Sequence, residues 1–285
     1  MPVIRGDKTE KEKFAGAENT YTIECMMHDR KALQSGTSHY FGDGFAKAFG
    51  ITFSDKENKL RSPFETSWGM STRIIGGLIM THGDNNGLVL PPRIAPIQVI
   101  VLPIAAHKPG VTEAAEAVVE RLKAAGIRVK GDFSDNSPGW KFAEWEMKGV
   151  PLRLELGPRD IEAGVCVAAR RDNGEKVTVS LDELETGIPA LLEAVQQGLF
   201  DKAKRNLDEH TYTAQTVDEV KDVIENRGGG FIKTMWCGDE ACELKMKEVA
   251  GVSSRCMPFA QEKVSDTCVC CGKPAKHSIL WGVAY

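Results

Sequence analysis

Cys237 and Cys242 stand in WCGDEAC, and Cys268 and Cys271 stand in CVCCGKPA. Two close thiol pairs separated by a short αβ segment can converge on one tetrahedral zinc ion. Gly272 and Pro274 follow the downstream pair and suit the tight turn after a metal knuckle. Four thiolates fill the coordination sphere and leave no position for a reacting water, so such an ion is structural. The plain alternative is four ordinary buried thiols. Cys270 lies between the downstream pair and Cys256 lies close by, so both compete for a place in the ligand set. The chemistry must then come from elsewhere in the chain.

A second group of polar residues gathers in the first hundred positions. SGTSHYFGDGFAKAF, with Gln34 just before it, brings Thr37 and His39 together ahead of an amphipathic helix. SWGMSTR supplies Ser67, Trp68, Ser71 and Arg73, and THGDNNGLVLPPR ends in Arg93. Singly these are weak signals, since a histidine beside an aromatic is usually structural and an arginine after Pro-Pro is usually solvated. Together they describe a polar pocket able to hold an anion, an adenine and a small ligand.

The elements that must position these groups fall into three blocks, 1–96, 97–199 and 200–285. The first is rich in glycine and polar residues, with a short strand Gly87 to Leu90, and stops at PPRIAP. In the second, the apolar run Ile97 to Leu102 predicts a buried strand. Thr112 is the expected cap of a helix to Ala125, closed by Gly126. A strand over Ile127 to Val129 and a helix over Trp140 to Met147 follow. Leu152 to Leu156 alternates leucine with Arg153 and Glu155, the pattern of a strand with one wet face. Val165 to Ala169 and Lys176 to Val179 form a hairpin across Asp172-Asn173-Gly174. This succession predicts a compact α/β domain with a mixed sheet. In the third block a polar helix runs from Phe200 to about Leu207, and Thr216 caps another that ends at Arg227. Strands follow at Phe231 to Met235 and Ile279 to Ala284, and the chain stops at Tyr285.

Composition narrows the class. The 285 residues are 42% hydrophobic and 27% charged, those of an ordinary soluble globular protein. No stretch approaches the ~20 apolar residues of a membrane span, so no membrane partner is expected. MPVIRGDKTEKEKF lacks the apolar core of a secretory signal. Eight cysteines without such a signal point to a reducing, cytoplasmic setting. The formal net charge of -4 means that any contacts to RNA must be local.

Gly87 to Leu90 leading into Pro91-Pro92-Arg93 resembles the third signature motif of class II aminoacyl-tRNA synthetases. VIRGDKTEKEKFAGAENTYTIE, QSGTSHYFGDGFAKAF, SWGMSTRIIGGLIMTHGDNNGLVLPPRIAP, SPGWKFAEWEMKGVPLRLELGPRD and WCG…CVCCGKPA…AY are together similar, collinearly and over nearly the whole chain, to prolyl-tRNA synthetases of the archaeal/eukaryotic-like type. The resemblance implies an α/β and α+β multidomain fold. Its parts are the C-terminal part of a class II antiparallel catalytic domain (1–96), a mixed-sheet α/β anticodon-binding domain (97–199) and a small α+β zinc-binding C-terminal domain (200–285). It implies ATP contacts at Gln34, Ser71, Arg73 and Arg93, the two arginines being catalytic, and a proline pocket at Thr37, His39 and Trp68. It implies anticodon contacts at Glu146, Arg153, Arg159 and Asp160. Carboxylates accept from guanine N1 and N2 donors, and arginine donates to O6 and N7; the plain alternative for these four is a surface ion-pair network on a half-wet strand.

The activity implied is proline–tRNA ligation, with ATP as substrate, Mg²⁺ assisting, structural Zn²⁺, and proline and tRNA(Pro) as partners. The family's first two signature motifs are not found in the chain, so the sequence is read as a partial chain, inactive alone and a homodimer when complete. Met26 stands where an aromatic is expected. The resemblance also places the terminal Tyr285 beside the active-site cleft. The alternative function is a non-catalytic tRNA-binding or regulatory paralogue, which would have little use for an intact half-site for ATP.

Overall fold

The computed structural model describes residues 1–285 and divides into two compact units, Met1–Thr81 with Lys204–Tyr285, and His82–Ala203. No helix is long and apolar enough to cross a membrane.

The first unit is built on one eight-stranded sheet. Its order is Thr211–Thr213, Phe231–Trp236, His277–Gly282, Ser253–Pro258, Ile4–Asp7, Asn19–Met26, Ala32–Gly42 and Glu65–Gly69. The sequence reading separates the first and last blocks, but here they share this sheet. Ile4–Asp7 pairs antiparallel with Ser253–Pro258, Gly6 opposite Pro258 and Asp7 opposite Met257. Gly6 is required at this seam, because a Cβ there would lie 2.2 Å from the Met257 carbonyl oxygen. Behind the seam lies Glu24, which is fully buried. It accepts from Lys8 Nζ at 3.0 Å, Thr22 Oγ1 at 2.8 Å and Arg255 Nη2 at 2.8 Å. Glu243, also buried, accepts from Thr9 Oγ1 at 3.0 Å and from Ser254 Oγ. Such pairing is what lets ionised groups leave water. Phe231, Cys256 and Leu280 from late in the chain pack with Met26 and Ala32 from early in it.

The second unit is a mixed five-stranded sheet in the order Lys176–Ser180, Val165–Arg170, Leu152–Leu156, Val99–Pro103, Val129–Gly131. The first two junctions are antiparallel and the last two parallel. Val99–Pro103 is buried along its whole length, as its unbroken apolar run requires. Leu152, Leu154 and Leu156 face the core formed with the helix Val111–Ala124 and the start of Leu184–Glu209. The opposite face, carrying Arg153 and Glu155, lies on the side of the helix Pro138–Met147.

Three local expectations change. The helix at Val111 is preceded by Gly110 at φ 81°, and Thr112 is not its cap; its hydroxyl donates to the Ala106 carbonyl at 3.3 Å. Gly87 to Leu90 is no strand; Leu88 and Leu90 donate their N–H groups to Met147 and Gly149. The helix expected from Phe200 starts at Leu184 and runs unbroken to Glu209, across the boundary drawn at 199–200. Leu184, Ile188, Leu192, Val195, Leu199, Ala203 and Leu207 are buried at helical spacing along it. Pro189 lies inside this helix, just beyond its first turn, and leaves the Glu185 carbonyl without a donor from position 189.

Candidate functional sites

The four sulfurs of Cys237, Cys242, Cys268 and Cys271 all lie within 4.8 Å of one another. Cys237 follows the strand Phe231–Trp236, Cys242 lies in the first turns of the helix Glu240–Ala250, and the other two sit in the turn before His277–Gly282. The Cys237–Cys242 and Cys237–Cys271 separations are 3.7 and 3.8 Å. Tetrahedral zinc with bonds of ~2.3 Å places its sulfurs ~3.8 Å apart, so the donor set fits such an ion. Cys256 instead packs with Phe231 and Leu280 in the core, and Cys270 is not in the cluster. Burial pushes the Cys237 and Cys242 thiols up, whereas the Lys273 amide lowers Cys271 to about 7. A cation is what holds buried thiols as thiolates.

In the same unit, Gln34, Thr37, His39, Ser71 and Arg73 line one cavity of about 390 Å³. Register explains part of this: Thr37 and His39 stand opposite Gly69 and Ser67 on the neighbouring strand and share a face. Arg73 opens the helix Arg73–His82, its N–H donating to Ser71 Oγ at 3.3 Å. His39 is fixed against Thr20 Oγ1 at 3.0 Å and packs on Phe14 and Phe41. Trp68 pairs with Ser38, so its side chain projects to the opposite face, where it is 81% exposed beside Tyr21, Met70 and Phe259. Thr37 borders both spaces. Arg93 stands in the other unit, its guanidinium on Glu193 at 3.0 Å and its N–H on Gln196.

An adjoining cavity of about 650 Å³ is also lined by Gln34 and Arg73, together with Arg255 and Tyr285. Ala32 donates to the Val283 carbonyl at 2.7 Å, which stitches the chain's last residues alongside the strand that carries Gln34. Arg255 was invisible as a site residue in the sequence, since only the long-range pairing of its strand brings it here.

The second unit holds a polar cavity of about 470 Å³. Ile100, Arg153, Ala169 and Lys176 stand side by side across four strands on its floor. Arg153 lies over the Phe142 ring at 4.0 Å and donates to Glu155 Oε1 from Nε and Nη2 at 3.1 and 2.9 Å. Lys176 Nζ holds the other Glu155 oxygen at 3.0 Å. Glu146, Asp84, Asn86, Arg170 and Arg171 complete the wall. Of the four anticodon candidates, Glu146 and Arg153 meet here. Arg159 and Asp160 belong to the short helix Pro158–Glu162 beyond the end of the strand, where Asp160 accepts the Gly157 N–H at 2.8 Å. The cavity combines forked cations, carboxylates and a stacking surface, the equipment for reading unpaired bases.

Residues 98–191 match the family model described as the anticodon binding domain, which sets the class of this unit. Residues 217–285 match the model described as prolyl-tRNA synthetase, C-terminal. Over all 285 residues the chain is 62% identical to the proline–tRNA ligase of Lachnospira eligens, 61% to that of Clostridium novyi and 60% to that of Lachnoclostridium phytofermentans. The chain belongs to the prolyl-tRNA synthetase family, whose C-terminal region it represents. It spans 59% of the length of each of these relatives.

Proposed function

We propose that these residues serve a proline–tRNA ligase, which activates proline with ATP and Mg²⁺ and transfers it to tRNA(Pro). The observation that carries this reading is identity of 62% along the entire chain to an enzyme of that name. In this reading residues 1–96 are part of a class II catalytic domain, 97–199 the anticodon-binding domain and 200–285 a zinc-binding domain that shares the catalytic sheet. Gln34, Ser71 and Arg73 bind ATP. A guanidinium at a helix start suits phosphate, since the helix end and the fork both favour the anion. The work of such residues is to position reactants and stabilise charge at the α-phosphate, with no covalent nucleophile on the enzyme. Thr37 and His39 shape the amino-acid side of the cavity, and Trp68 walls it only if its side chain turns from the face it occupies here. Arg93 keeps the ATP role that the family resemblance implies. Cys237, Cys242, Cys268 and Cys271 hold one structural zinc, and Glu146, Arg153, Arg159 and Asp160 read the anticodon.

A chimera tests this. The matching 285 residues of the Lachnospira eligens enzyme are replaced by this chain, and proline charging of tRNA(Pro) is measured. Charging that Arg73→Ala abolishes with zinc content intact supports the proposal. A folded chimera that charges no tRNA, or one indifferent to Arg73, overturns it.

A further inference from the structure

Glu146 stands in the last turn of the helix Pro138–Met147. The C-terminal end of a helix carries partial negative charge, so a carboxylate there is repelled by its own helix. Two groups offset that cost. Arg171, its side chain only 6% exposed, donates from Nε to the Glu146 carbonyl oxygen at 3.0 Å and sets a cation on the helix end. Asn86 Nδ2 donates to Glu146 Oε1 at 3.0 Å.

Both groups are governed by one turn. Asp84 takes the Arg171 guanidinium through both oxygens, at 2.7 and 2.6 Å. Its Oδ1 also accepts the Asn86 N–H at 2.9 Å, and Asp84 and Gly87 exchange backbone hydrogen bonds at 3.1 Å. The turn is zipped onto the helix end by Leu88 N–H to Met147 O at 3.0 Å and Leu90 N–H to Gly149 O at 3.1 Å. Gly87, at φ 129°, approaches so closely that a Cβ would lie 2.6 Å from the Met147 backbone. Asp84, Asn86 and Arg171, from two segments distant in sequence, thus meet at the helix end that carries Glu146, with Asn86 on its carboxylate and Arg171 on its carbonyl.

We propose that Asn86 and Arg171, locked by Asp84, are positioning residues that fix Glu146 as a one-oxygen acceptor for a guanine edge. The inference rests on the reading of this cavity as the base-binding site. With Oε1 held by Asn86, Oε2 is the oxygen left for the base. Guanine presents N1–H and N2–H donors side by side on that edge, while at the same two positions adenine presents the N1 lone pair and the C2 hydrogen, its one donor, the N6 amino group, lying on the other side of N1. A carboxylate that cannot turn away meets adenine with lone pair against lone pair. A free Glu146 side chain would rotate aside and tolerate it. Positioning here therefore acts on discrimination against the wrong base more than on affinity for the right one.

The test uses the purified 285-residue chain and fluorescence anisotropy. The probes are an anticodon stem–loop RNA of tRNA(Pro) and the same RNA with its anticodon guanines replaced by adenine. Asn86→Ala is expected to shrink the guanine-over-adenine ratio about tenfold, partly through tighter binding of the adenine RNA, with an unchanged salt slope. Glu146→Gln is expected to shrink it as well. Arg171→Met should act as Asn86→Ala does; should it fail to fold, the exposed Asn86 still decides the matter. If Asn86→Ala keeps the full ratio while Glu146→Gln loses it, the positioning role falls and base reading by Glu146 stands. If Glu146→Gln keeps the ratio, the base-binding reading of Glu146 itself falls. If Asn86→Ala weakens both RNAs equally, Asn86 is structural only.

Discussion

Replacing Cys242 by serine should loosen one unit of the protein and leave the other untouched. The four sulfurs are already gathered within 4.8 Å, with separations of 3.7 and 3.8 Å that match a tetrahedral ion of ~2.3 Å bonds. The chain therefore spends little ordering when the ion binds, and the ion's affinity reaches stability almost undiminished. An ion at a thousandfold excess over its dissociation constant stabilises the folded state by ~4 kcal/mol. The unit that holds it has about 160 residues, and domains of that size shift by ~2–4 °C per kcal/mol. Loss of the ion should lower that unit's melting temperature by about 8–16 °C. Calorimetry on wild type, wild type with chelator, and Cys242→Ser measures the shift, and metal analysis should give one zinc per wild-type chain. Hydrogen exchange identifies the transition: peptides within 231–258 and 266–282 should exchange faster, while those within 152–170 should not. The reasoning is refuted if Cys270→Ser releases the metal and Cys271→Ser retains it, or if both units lose stability alike.

Glu24→Ala should cost the first unit about 3–5 kcal/mol, because it strands Lys8 and Arg255 as buried cations without their shared carboxylate; a denaturant midpoint within error of wild type would refute this. The Asp84–Arg171 pair gives a pH signature in the second unit. Arg171 holds the Asp84 carboxyl down to about 2, below its unfolded value, so the pair's contribution is present above pH ~4 and is lost as pH falls toward 2. The difference in stability between wild type and Asp84→Asn should be constant from pH 7 to 5 and lose most of its size by pH 2, where folded Asp84 is still half ionised; a difference as large at pH 2 as at pH 7 would contradict it. Deleting Tyr285 from the chimera should raise KM for proline or lower kcat with zinc content unchanged, since Tyr285 lines the cavity with Gln34 and Arg73; unaltered kinetics would make the residue structural.

Local pattern made much of the second unit legible. Leu152 to Leu156 alternates because one face meets the core and the other a wet cavity, and the strand lies where that alternation places it. In the first unit, Thr216 caps its helix as its sequence predicts, through a capping box with Glu219. The cysteine spacing likewise yields the four thiols that converge. What stayed hidden depends on distant pairing. Nothing local in IRGD indicates that it will lie beside SSRCMP, so the shared sheet and the placement of Arg255 were out of reach. The turn Asp84–Gly87 reads as a loop, and its role emerges only when the Arg171 and Glu146 side chains are brought to it. Trp68 shows the same limit, because strand pairing with Ser38 decides which face it takes. The helix Leu184–Glu209 contains Gly187 and Pro189 near its start, and its buried stripe continues through both, so burial rather than local propensity sets where it begins.

The central claim is that this chain reads a proline anticodon, and binding of whole tRNA tests it most directly. The purified chain is titrated with tRNA(Pro) and with the same tRNA carrying an anticodon without guanines, at one fixed salt concentration. The account predicts clear preference for tRNA(Pro), and Arg153→Ala should reduce that preference by about 1–3 kcal/mol, the scale of one base-edge pair. Arg153→Ala leaves Glu155 still held by Lys176, so the loss reports on recognition rather than on folding. Equal binding of the two tRNAs by the wild-type chain would contradict the account.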